Sequence, residues 1–269
     1  MPKGIGITQR KRRQNIIGWV ITCSVVLIIV IFFATRLTLV RARIKLDETT
    51  LCPETGPVAY LAVLLDGTDS FNDVQKVYLT RYFQEVKQDL RIHEQISLFT
   101  VNNESLRDMK PKLVVCNPGD EANPLIQNPR KIRLRWEKKY YEHLTEALNV
   151  IMKTGKSDYS PIMEMIQAIT INGFPRESIN KEKRLLIVSD MLHHTDRYSL
   201  YRQEIDFKKF RETPHFQHVR TNLSGIEVII LFLMRESHEE LQTEKLITFW
   251  KEYIHSMGGR LSHAQYVDG

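Results

Sequence analysis

The chain has 269 residues, 42% hydrophobic and 26% charged, which excludes a disordered or low-complexity protein and leaves room for one medium domain plus an appendage. The formal net charge is +6, but nine of the 38 Lys and Arg lie in residues 1–45, where there is no acid, so the other 29 face all 32 Asp and Glu. The basic excess belongs to the N-terminal segment, and no nucleic-acid-binding surface is needed to explain it.

In chain order, a basic segment (1–15) precedes the uncharged run IIGWVITCSVVLIIVIFFA (16–34). At about 1.5 Å per helical residue this run matches the roughly 30 Å hydrocarbon core of a bilayer. Phe32-Phe33-Ala34 puts bulky side chains where a signal peptidase needs small ones, so the sequence predicts an uncleaved transmembrane anchor. Lys3, Arg10, Lys11, Arg12 and Arg13 precede the span, and Arg36, Arg41, Arg43 and Lys45 follow it. This slight bias favours a cytoplasmic N-terminus in the inner (cell) membrane, with the C-terminal domain periplasmic or extracellular. A linker (35–57) with Pro53, Gly56 and Pro57 then leads into a domain at 58–269.

YLAVLL (60–65) is a continuous apolar run, as expected of a strand buried on both faces. A helix at 73–90 follows, then strands at 96–101 and 112–116. Asn117-Pro118, Asn123-Pro124 and Asn128-Pro129 argue against regular structure at 117–130. Helices are predicted near 133–153, 161–172, 204–212 and 241–257, the last stopped by Gly258-Gly259, with strands at 185–189, 226–234 and 261–267. The alternation predicts a doubly wound α/β domain with a mostly parallel sheet and helices on both faces. The 96–101 to 112–116 connection is too short for a comfortable helical crossover, so that pair is expected to be antiparallel, at one edge. Ligands of such sheets bind beyond the carboxyl ends of the strands, where Asp66 and Asp190 stand.

Leu65-Asp66-Gly67-Thr68 invites a phosphotransfer reading. The haloacid dehalogenase-like motif, however, places its nucleophilic aspartate two positions before the aspartate that precedes glycine, and Leu64 stands there. Gly155-Lys156-Ser157 resembles the end of a phosphate-binding loop, but Val150 occupies the position of its first glycine. Neither a nucleotide nor a phosphoester reading keeps its working residue. Asp66, Thr68 and Ser70, by contrast, offer one carboxylate and two hydroxyls at alternate positions in a tight loop, the oxygen mixture that Mg²⁺ takes. A capping turn, with Asp69 or Ser70 starting the next helix, is the plainer account of the same letters.

With Ser160 in Asp158-Tyr159-Ser160-Pro161 and Asp190 in LLIVSDM, the loop resembles the von Willebrand factor A domain family over about 58–267. Its metal-ion-dependent adhesion site combines Asp-x-Ser-x-Ser after the first strand, a later loop Thr, and an Asp after the fourth strand. Thr68 replaces the middle serine and Ser160 the threonine, while Tyr159 and Met191 stand where glycines are usual. The resemblance implies Mg²⁺ (or Mn²⁺) held by Asp66, Thr68, Ser70, Ser160 and Asp190, with a carboxylate of a partner protein completing the coordination. It implies a membrane-anchored binding module of a cell-envelope complex, not an enzyme, with no nucleotide or nucleic-acid ligand. A phosphoester hydrolase at the same strand ends and a scaffold subunit with a vestigial site are the alternatives.

Strand direction bears on the cysteines. Cys23 lies in the apolar span, leaving Cys52 and Cys116, which by count alone are equally a disulfide or two free thiols. If 112–116 runs antiparallel, Cys116 finishes at the sheet end where Cys52 enters, and a bond between them is expected in an oxidising compartment. The helix at 133–153 can then climb and deliver Ser160 beside Asp66 and Asp190. His193 and His194 are expected in an exposed loop, since adjacent histidines rarely chelate one ion and no spaced third ligand is evident. Glu164 is expected to cap its helix or, as the alternative, to stand behind the cation ligands. Trp136, Tyr140, Tyr141 and Leu144 form a core-facing stripe, as do Phe249, Trp250 and Tyr253.

Overall fold

The computed structural model describes residues 5–41, 44–68, 70–101, 109–121, 127–153, 157, 159–175 and 178–268. Asp69, Asp158 and the Asn123-Pro124 pair lie outside them. The chain divides into two compact units, residues 1–45 with 121–132, and residues 46–120 with 133–269.

In the first unit, helix α1 (Ile5–Arg41) contains a stretch, Gly18–Thr38, long and apolar enough to cross a membrane. Its side chains from Trp19 to Leu37 include Val25, Leu27, Ile29, Ile31 and Phe33, all exposed.

The second unit is built on a six-stranded sheet of order β3-β2-β1-β4-β5-β6. The strands are β1 (Ala59–Leu65), β2 (Gln95–Thr100), β3 (Leu113–Cys116), β4 (Glu182–Ser189), β5 (Ile226–Leu233) and β6 (Arg260–Val267). All neighbouring pairs are parallel except β2 with β3, which is the antiparallel edge expected from the short connection. Every residue of β1 is buried, because β1 sits between β2 and β4 with helices on both faces. Tyr60, Ala62 and Leu64 point into one apolar cluster with Ile166, Phe210, Trp250 and Tyr253. Leu61, Val63 and Leu65 point into the other, with Leu79, Phe83, Tyr140 and Leu144. Both predicted aromatic stripes thus contribute to packing, as their spacing indicates.

Helix α2 (Asp73–Asp89) starts at a capping box in which Asn72 Oδ1 accepts from Gln75 N–H at 2.8 Å. The buried Gln75 also reaches across the sheet end, donating to the Met234 carbonyl at 2.9 Å. The helical run predicted at 133–153 is α3 (Pro129–Leu134), a π-helical stretch (Arg135–Glu142) and α4 (His143–Ile151). The wider turn sets Tyr140 fully inside, where its hydroxyl donates to the Lys87 carbonyl at 3.0 Å. The remaining helices are α5 (Ile162–Asn172), α6 (Phe207–Arg211), α7 (Pro214–Val219) and α8 (Glu244–Ser256), with Gly258 at φ +82° closing the turn after α8.

Cys52 and Cys116 are joined by a disulfide. Cys116 N–H also donates to the Thr50 carbonyl at 2.8 Å, so the segment before β1 is tied to the end of β3. Cys116 pairs with Gln95, and Gln95 with Tyr60, which sets this staple at the amino ends of the parallel strands.

Candidate functional site

The order 3-2-1-4-5-6 makes the gap between β1 and β4 the point where the sheet reverses its direction of winding, and loops at such a point splay apart to leave a crevice. Leu65 pairs with Val188, and Asp66 N–H still donates to the Val188 carbonyl at 2.9 Å, so the residues that follow, Asp66 and Ser189, are neighbours.

Asp66 is the hub. Its Oδ1 accepts from Thr68 Oγ1 at 2.6 Å and Thr68 N–H at 3.1 Å, and its Oδ2 accepts from Ser189 Oγ at 2.7 Å and Ser160 Oγ at 3.1 Å. The carboxylate is 3% exposed, and among the described residues hydroxyl and amide groups hold it, not a basic side chain. Ser160 arrives from the loop before α5, docked on the loop after β4 by reciprocal bonds between Ser160 and His194 main chains at 2.8 and 2.9 Å. Asp190 Oδ1 accepts from Leu192 N–H at 2.9 Å, and its carbonyl accepts from Gln242 Nε2 at 3.1 Å. Thr68, Ser160 and Asp190 line one cavity of about 410 Å³ with Ser157, His194, Tyr201, Arg202 and His238.

Four of the five predicted ligands therefore meet at one crevice: Asp66, Thr68, Ser160 and Asp190. Ser70 does not join them in this arrangement. It is exposed, and its carbonyl accepts from Arg235 Nη1 at 2.9 Å. Ser189 was not among the predicted residues, although the parallel β1/β4 register alone would have placed it beside Asp66.

The donor set suits a hard cation. A hydroxyl has two lone pairs, so Thr68 and Ser160 can donate to Asp66 and still present oxygen to an ion. A buried carboxylate without a basic neighbour among the described residues is also the group whose burial a cation would offset.

Met191 is the departure with the clearest structural trace. Its φ is +62°, the left-handed region that favours glycine, and its side chain is fully buried. The surroundings hold it there: Met191 N–H donates to Ser189 Oγ at 2.9 Å, and its carbonyl accepts from Trp250 Nε1 at 2.9 Å.

The histidine expectation is corrected. His193 is not in an exposed loop but fully buried, and its Nε2 lies 3.2 Å from Nε2 of His215 on α7. Glu164 stands in the first turn of α5, as expected, but its carboxyl group also faces inward. It is 4% exposed and faces both rings, with Oε1 3.6 Å from His215 Nε2 and Oε2 3.8 Å from His193 Nδ1. Burial pushes the Glu164 carboxyl up, His193 well down and His215 down to about 4, so both imidazoles are neutral near pH 7. The third ligand type that sequence spacing did not supply is His215, 22 residues beyond His193 and brought in only by the packing of α7. His194, one residue on, points the other way, with Nδ1 2.8 Å from Ser199 Oγ at the cavity wall.

Strand order and the antiparallel β3 define a doubly wound, mostly parallel α/β fold, consistent with a von Willebrand A or Rossmann-like layout. No protein-family model matches the sequence, and no curated protein is significantly similar to it. Solved structures with a similar layout include the SpRpn10 VWA domain (13% identity, TM-score 0.42, covering 78% of this chain and 88% of that one). Another is the conserved hypothetical protein BatB from Bacteroides thetaiotaomicron (13%, 0.37, 78% and 91%). A third is an aerotolerance-related membrane protein from Bacteroides fragilis NCTC 9343 (11%, 0.36, 78% and 92%).

Proposed function

We propose that this chain is a membrane-anchored protein-binding module. In this reading a divalent cation, Mg²⁺ or Mn²⁺, is held at Asp66, Thr68 and Ser160, with Asp190 and Ser70 completing the set directly or through water. The open coordination position takes a carboxylate of a partner protein in the cell envelope. The observation that carries this reading is the convergence of Thr68 and Ser160 on the buried Asp66 carboxylate, at a crevice that Asp190 also lines.

The chain's own part is orientation. Hydrogen bonds fix both Asp66 oxygens, and the Ser160–His194 bridge fixes the second loop, so little ordering remains to be done on binding. The cation would supply positive charge to a ligand carboxylate, and Arg202 at the cavity wall adds a second positive group for the same anion.

The span Gly18–Thr38 supports anchoring, and the Cys52–Cys116 bond supports a domain in an oxidising compartment, with the N-terminus cytoplasmic and the domain periplasmic or extracellular.

The test is calorimetric titration of Mg²⁺ and Mn²⁺ into the full chain in detergent micelles, beside Asp66→Ala. One binding event in the parent that disappears in the variant is expected. No heat in the parent for either ion would sink the metal-dependent reading.

A further inference from the structure

Behind the crevice, three buried side chains from three elements meet: Glu164 from the first turn of α5, His193 from the loop after β4, and His215 from α7. They are 4%, 0% and 5% exposed, and one ligand atom from each lies within 4.8 Å of the other two. Tyr198 stacks on His215 with centroids 5.6 Å apart and planes 8° apart, and Phe210 covers its edge at 6.1 Å.

Hydrogen bonding leaves this group unfinished. The two Nε2 atoms at 3.2 Å can share one proton, but the contacts from Glu164 to the rings, 3.6 and 3.8 Å, are too long for hydrogen bonds. Glu164 Oε2 and His215 Nδ1 are buried without a hydrogen-bond partner among the described residues. His193 is satisfied, its Nδ1 accepting from Met163 N–H at 3.4 Å, but a carboxyl oxygen and an imidazole nitrogen left without partners are costly to bury.

The same distances suit a shared ion. Ligands about 2.0–2.1 Å from a tetrahedral metal stand roughly 3.3 Å from one another. The His–His and His–Glu separations of 3.2 and 3.6 Å lie on either side of that edge length.

We infer that Glu164, His193 and His215 form a transition-metal site, selective for Zn²⁺-class ions and separate from the oxygen-lined crevice at Asp66. Two imidazole nitrogens and one carboxylate favour such an ion over Mg²⁺, which prefers oxygen throughout. Three protein ligands leave a fourth position for water, and enclosure away from the crevice favours a role in holding the fold. Glu164 is four residues beyond Ser160, and His193 three beyond Asp190, so the ion clamps together the two loops that carry those crevice residues. His215 secures both to α7.

The test uses the full chain in detergent micelles, stripped with EDTA and titrated with Co²⁺ alone. Visible d–d absorption of a four- or five-coordinate Co²⁺ is expected at one ion per chain, displaced by Zn²⁺, together with a Zn²⁺-dependent rise in melting temperature. Glu164→Gln and His215→Gln, both close in size to the parent side chains, should each weaken Co²⁺ binding tenfold or more. Asp66→Ala should leave the Co²⁺ spectrum unchanged, which separates this site from the crevice whatever the fate of the Mg²⁺ titration. Absence of both the absorption and the thermal shift in the parent overturns the assignment, as does absorption that persists in both Glu164→Gln and His215→Gln. Should the variants fail to fold, X-ray absorption on the Zn²⁺-loaded parent decides: imidazole scattering supports the site, and its absence rejects it.

Discussion

Ser160 Oγ donates to Asp66 Oδ2 at 3.1 Å, closing a gap of 94 residues between the loop after β1 and the loop before α5. The bond depends on three separate pieces of folding: β1 beside β4, the helical run from 129 to 151 returning the chain, and the Ser160–His194 bridge. Ser160→Ala should therefore weaken Mg²⁺ binding by about 10–100-fold, the range seen when groups supporting a metal site are removed. It should also lower stability by roughly 1.5–3 kcal/mol for a lost hydrogen bond to a charged group. Ser160→Thr, which keeps the hydroxyl, should recover most of both. Calorimetry and urea denaturation check the pair, and equal Mg²⁺ affinity in Ala and Thr variants would remove Ser160 from the site.

Met191→Gly sets two effects against each other. Relief of the left-handed backbone is worth about 1–2 kcal/mol. Removing a fully buried methionine costs about 2–5 kcal/mol even for replacement by alanine, and glycine adds roughly 0.5–1 kcal/mol of unfolded-chain entropy. Cavity formation wins, so the variant should be less stable, visible as a lower urea midpoint.

Lys87 offers a pH test. It is 2% exposed, its ammonium donates to Thr145 Oγ1 at 2.6 Å and lies 4.0 Å from the Tyr141 ring centroid. Burial nevertheless lowers its pKa from 10.5 to about 8. A depressed lysine binds fewer protons folded than unfolded between those values, so its contribution to stability grows as pH rises from about 8 toward 10.5 and is lost as pH falls through about 8. Relative to Lys87→Met, the parent should gain stability across that window. Parallel denaturant curves for the two proteins at pH values below 8 and near 10 would contradict the shift.

Removal of the disulfide should be felt by the whole domain. For partners 64 residues apart the chain-entropy relation gives about 4 kcal/mol. The double variant Cys52→Ser with Cys116→Ser, or the parent under reductant, should unfold at distinctly lower urea concentration. The parent from intact membranes should resist alkylation at both positions.

What was readable in the sequence, and what was not, follows from the range of the forces involved. The apolar run at 60–65, the helical stripes and the short link between β2 and β3 are local patterns, and they yielded the α/β class and the antiparallel edge. Strand direction then carried the argument to Ser160 and to Cys52 with Cys116, because in a parallel sheet chain order decides which ends coincide. Ser189 escaped because its role depends on register. His193, Glu164 and His215 were missed as a group for a different reason. His193 ends an unbroken buried stretch, 185–193, that offers no period to read, and only the docking of the short helix α7 brings His215 to it. The π-helical turns of 135–142 were likewise invisible, since their residues have the same apolar spacing as an α-helix.

The staple at Cys52–Cys116 also determines how the domain bears a mechanical load. Tension arriving along the chain from residue 46 meets a covalent crosslink to β3 before it reaches β1. Beyond that point β1 is held on both sides by parallel partners, so a pull toward a ligand at Asp66 acts along the strand and loads its hydrogen bonds in shear, all at once, instead of peeling them singly. On the reading proposed above, a module tethered at one end of its central strand and binding at the other would pass force along that strand without peeling it.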